Sequence, residues 1–76
     1  MRRSLVLIVS DNPAEVRVLR EIIREQSRGD VVVVGAAGRG EEALSRALSL
    51  RPHVIVVNLD PAREGDLELV PRLRGL

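Results

Sequence analysis

A chain of 76 residues is one domain at most, and one small enough that its stability depends on covering the apolar faces it makes. It has no Cys and a single His, His53, which excludes disulfides, thiolate metal sites and a zinc site built on histidines. Phe, Tyr and Trp are absent and the formal net charge is +1, so neither base stacking nor a strong field directs it to nucleic acid, and the core must be Val, Leu, Ile and Ala.

The opening Met1-Arg2-Arg3 followed by the apolar Leu5 to Val9 imitates a signal peptide. The apolar run is too short for one, or for a membrane span, and Asp11 follows it. The expected location is the cytoplasm. Leu5 to Val9 reads instead as a strand buried on both faces, the signature of a parallel sheet. It ends at Ser10-Asp11-Asn12-Pro13, where Asn12 is a good N-cap, Pro13 suits the first helical position and Glu15 completes a variant capping box. The helix that follows is expected to run to about Gln26. Val16, Leu19, Ile22 and Ile23 form its apolar stripe, with Arg17 and Glu21 paired on the outside. Gly29 suits the turn out of it. An Arg-Gly-Asp tripeptide at 28–30 carries no adhesion reading in a chain without secretory features.

Val31 to Val34 is a second strand, and Gly35 to Gly40 reads as a flexible connection. Glu41 to Leu50 is a second helix with Ala43, Leu44, Ala47 and Leu48 on one face and two Glu in its first turn, favourable to the helix dipole. Arg51-Pro52 ends it, and His53 to Leu59 is the third strand. Leu67, Leu69, Val70 and Leu73 line a last helix, capped by Asp66 and kinked, shortened or frayed by Pro71. Strands alternating with helices of this length predict parallel βαβ units with right-handed crossovers, whose working site lies at the carboxyl ends of the strands.

Those ends carry Ser10, Asp11 and Asn12, the Gly35 to Gly40 segment, and Asn58 with Asp60. Carboxylates gathered there suit Mg²⁺, and one can attack a phosphoryl group; the same residues equally suit capping and turn formation. The glycines invite a phosphate-loop or nucleotide-type small-ligand reading, but match neither a dinucleotide fingerprint nor a Walker loop, which needs Lys. The terminal arginines read as solvated surface, and His53 as a surface residue and not a general base.

Three segments in register resemble the receiver domain of two-component response regulators: Val6 to Pro13, Val33 to Leu44, and Arg51 to Leu59, with its Arg-Pro, apolar-run, Asn order. The resemblance implies a flavodoxin-like α/β fold, here three parallel strands in order 2-1-3, with 1–76 as a single truncated domain. It also implies an acidic pair, a phosphoacceptor aspartate and Mg²⁺. Ser10 stands at the first acidic position, only Asp11 is kept, Asn58 occupies the phosphoacceptor position, and there is no Lys. An amide cannot form the acyl phosphate, and one carboxylate holds Mg²⁺ weakly. The expectation is therefore a non-enzymatic signalling module with Mg²⁺ lost from Asp11, acting through a protein partner. That partner is a second copy or another two-component protein. The strand edge Val54, Ile55, Val56, Val57 is the expected dimer contact. The alternatives are a phosphoryl-accepting receiver using Asp60, as a displaced acceptor, or Asp11, and a small-ligand module over Gly35 to Gly40.

Overall fold

A computed structural model describes residues 3–58 and 65–76. Six elements follow in order: β1 (Ser4–Val9), α1 (Pro13–Ser27), β2 (Val31–Ala37), α2 (Glu41–Leu50), β3 (Val54–Val57) and α3 (Asp66–Arg74). The strands form one parallel sheet in the order β2-β1-β3, the flavodoxin-like arrangement expected.

β1 is the central strand, and its side chains serve two cores. Leu7 and Val9 point to the side of α2 and α3, where they pack with Ala43, Leu44, Ala47, Leu69 and Leu73. Val6 and Ile8, also buried, alternate to the opposite face under α1. Continuous apolarity of this strand is thus a direct consequence of having a helical layer on each side. Among the described residues no helix is long and apolar enough to cross a membrane.

Two expectations about strand and helix ends are corrected. Gly35, Ala36 and Ala37 belong to β2 and are not a flexible connection. Between Val6↔Val33 and Leu7↔Gly35 the register shifts by one residue, so Val34 is a bulge and the strand resumes on the glycine. A Cβ at Gly35 would lie 2.9 Å from Leu50 Cδ1, which is how closely the end of α2 covers the strand there. In α3, Gly65 (φ 88°) is the N-cap without a side-chain bond, and Asp66 is the first helical residue. Pro71 sits inside this helix, which nonetheless runs nine residues. Burial of Leu69 and Leu73 on both sides of the proline holds the helix to the core despite the missing N–H.

α1 departs from expectation on its surface. Val16, Leu19 and Ile23 are half-buried, but Ile22 is 50% exposed. At ~100° per residue it lies roughly 90° from the centre of the stripe, on its rim. Glu21 pairs with Arg24, at 2.8 Å, in place of the expected Arg17. At the foot of the sheet His53 is exposed, and both its groups bond to Leu5: its N–H donates to Leu5 O and its Nδ1 accepts the Leu5 N–H, each at 2.8 Å. The imidazole stands in for a strand carbonyl where the left-handed Arg51 (φ 48°) and Pro52 interrupt the approach to β3.

Because Leu7 is fully buried and Ile22 is not, Leu7→Ala should cost about 2–5 kcal/mol through lost contacts and a residual cavity. Ile22→Ala should cost less than about 1 kcal/mol. Urea denaturation of the two variants measures both, and equal costs would contradict this placement of the core.

Candidate functional site

The carboxyl ends of β1 and β3 and the β2–α2 turn meet at one edge of the sheet. Ser10, Asp11, Asn12, Pro13, Glu15, Arg39 and Asn58 line a single open cleft there of about 480 Å³. The sequence-predicted residues Ser10, Asp11 and Asn58 are therefore brought together, while Asp60 and Leu59 lie outside the described residues. Asn58 is positioned by its backbone, whose N–H donates to Val9 O at 3.0 Å and extends the β1–β3 ladder by one bond.

Ser10 is buried, at 7% exposure. Its backbone N–H closes on Ala37 O at 2.9 Å. Its hydroxyl accepts the Asn12 N–H at 3.1 Å and donates to Glu15 Oε1 at 3.3 Å. The Asn12 side chain meanwhile accepts from the N–H groups of Ala14 and Glu15. The capping box read from the sequence thus exists in a relayed form: Glu15 reaches the Asn12 N–H through the Ser10 hydroxyl. A residue at an acidic position of the resembled family serves here as part of a helix cap.

Asp11 is bound by a residue that the sequence reading left among the glycines. Its Oδ1 accepts the Arg39 backbone N–H at 2.9 Å, and its Oδ2 accepts from Arg39 Nε at 2.8 Å and from Nη2. The Arg39 side chain is only 10% exposed, against 49% for that of Asp11. A guanidinium so desolvated, bonded to one carboxylate through two nitrogens and a backbone N–H, is a stronger pairing than an ordinary surface ion pair. Gly38 makes the approach feasible: a Cβ there would lie 2.7 Å from Asp11 Oδ1. Its own N–H donates to Glu42 Oε1 at 3.2 Å. The N–H groups of Gly38 and Arg39 are thus already given to the chain's own carboxylates and are not offered to a small ligand.

Nor do the donors suit Mg²⁺, which demands near-octahedral oxygen ligation and keeps most of its water. Among the described residues the cleft presents one strand-end carboxylate, with both oxygens engaged by Arg39, and no group of three or more His, Asp or Glu is arranged to hold a metal.

The chain is 41% identical over 63 residues to a protein-glutamate methylesterase/protein-glutamine glutaminase of Anaeromyxobacter dehalogenans, covering 82% of the chain and 17% of that protein. It is 35% identical over 68 residues to the transcriptional regulatory protein BtsR of Escherichia coli, covering 90% of the chain and 28% of the relative. Both kinds of protein carry receiver domains. Over most of its length the chain is similar to the receiver regions of these proteins. It spans less than a third of the length of these relatives, so what is similar is the receiver portion and not the whole protein. No family model matches the chain, and no solved structure matches it at comparable significance.

Of the residues lining the cleft, Asp11 and Asn58 are legible in the sequence and Arg39 is not. The only signal was its place between two glycines just past the carboxyl end of β2, which marks a tight turn without naming the partner of its side chain. Since Ser10 links Asn12 to Glu15, Ser10→Ala should cost about 1 kcal/mol, and Asn12→Ala about 0.5–2 kcal/mol. Thermal and urea unfolding read both, and a neutral Ser10→Ala would contradict the relayed cap.

Proposed function

We propose that this receiver acts in two-component signal transduction without accepting a phosphoryl group, as a pseudo-receiver that works by protein interaction and not as an enzyme. One observation carries the reading. In the cleft where a receiver would form an acyl phosphate, the acceptor position is an amide, Asn58, and the remaining acid, Asp11, is held by Arg39. A carboxamide has no anionic oxygen to attack phosphorus, and a carboxylate bonded to a guanidinium and a backbone N–H is a blunted nucleophile. In keeping with the absence of Cys, we place the protein in the cytoplasm.

The partner we propose is a second copy, met at β3. The register with β1 directs the backbone groups of Val54 and Val56 inward, which leaves the N–H and C=O of Ile55 and Val57 pointing to the open side. No strand lies beyond β3 among the described residues. The strand is four consecutive apolar residues, with Val54 48% exposed and neither proline nor charge to guard it. Antiparallel pairing of β3 with its copy across a two-fold axis would join two three-stranded sheets into one of six strands and satisfy those groups. Another two-component signalling protein offering a strand is the alternative occupant.

Incubation with acetyl phosphate and Mg²⁺ should leave the intact mass unchanged. A one-phosphoryl adduct would overturn the reading, and its loss in Asp60→Ala or Asp11→Ala would name the acceptor. Light scattering at micromolar concentration should give twice the chain mass, and a monodisperse monomer would sink the self-pairing.

A further inference from the structure

We infer that Arg39 is the resident cation of the acid pocket, and that the guanidinium itself, beyond the thinning of acidic ligands, closes this cleft to divalent metal. The inference rests on reading the cleft as a retired acceptor site. Metal affinity and phosphoryl transfer are measured separately, so either can fail alone.

Three features support it. Arg39 is attached to Asp11 at two points, by its backbone N–H on one oxygen and by its guanidinium on the other, so the cation's position does not depend on a long free side chain. The loop is drawn onto the carboxylate, as the 2.7 Å from a Gly38 Cβ position to Asp11 Oδ1 records, and this leaves little room on that side for a hydrated ion. Asn58 lines the same cleft as Arg39, so a carboxylate placed at 58 would face a positive charge already present. A hydrated Mg²⁺ must displace water to bind, whereas a planar guanidinium meets carboxylate oxygens without that cost. An internal cation therefore competes with the metal for the same oxygens.

It follows that restoring the missing acid is not sufficient. Metal binding should return only when the acid is restored and the arginine removed. Backbone amide shifts of Asn12, Gly38 and position 39 on titration with Mg²⁺, at fixed ionic strength, compare wild type, Asn58→Asp and the double variant Asn58→Asp/Arg39→Gln. Wild type should show no saturable shift in the low millimolar range. The double variant should bind Mg²⁺ at least about tenfold more tightly than Asn58→Asp alone, since affinity follows the net ligand charge. Equal affinities in the two variants would overturn the inference. If the Gln double variant does not fold, Asn58→Asp/Arg39→Ala takes its place with the same two outcomes, and submillimolar binding by Asn58→Asp alone, or saturable binding by wild type, overturns the inference by itself.

Discussion

Burial of β1 between two strands and two helical layers is the constraint from which the rest of the structure follows. Leu7, Ile8 and Val9 have no exposed surface at all. In a chain this short they can be covered only if β2 and β3 flank them and α1 and α2 lie on opposite faces. That arrangement brings the residues after Val9 out at the edge of the sheet, beside the turn that leaves β2 and the end of β3. Ser10, Asp11, Arg39 and Asn58 are neighbours because β1 is central, and not through any local sequence relation among them.

Within that edge, electrostatics is handled internally. Asp11 takes Arg39, Gly38 gives its N–H to Glu42, and Ser10 links the cap of α1. The Asp11 carboxylate, the Ser10 hydroxyl and the N–H groups of Gly38 and Arg39 are each matched by a group of the same chain. The loops after β1 and β2 are tied to one another by these bonds. Farther down, the Arg72 to Glu41 pair at 2.9 Å joins α3 to α2, but both partners are well exposed and contribute little. The open side of β3 is where the chain leaves backbone groups unmatched among the described residues, which is why the proposed partner is placed there and not at the cleft.

Much of this was legible from residue pattern. Runs such as Leu5 to Val9 and Val54 to Val57 read as strands of a parallel sheet, and Asn12-Pro13 marks a helix start by chemistry that does not depend on tertiary context. The bounds of α2 follow from its paired Glu start and Arg51-Pro52 end. What pattern could not reveal was non-local. Gly35-Ala36-Ala37 looks like a loop because small residues carry little strand preference, yet Leu50 packs over the glycine and β1 supplies the ladder. Ile22 recurs at helical spacing, but it lies on the rim of the stripe, where half of it stays exposed. Asp11 and Arg39 are 28 residues apart, and no periodicity links them. Pro71 argues against a helix locally and is overruled by Leu69 and Leu73.

The central claim, a receiver cleft whose cation is its own arginine, is tested most directly by the Arg39 Nε–H group in solution. Among the twelve arginines, Arg39 should give a displaced Nε–H resonance in slow exchange with water, and that resonance should collapse onto the others in Asp11→Asn. Twelve arginine signals that exchange alike, with none responding to Asp11→Asn, would contradict the account.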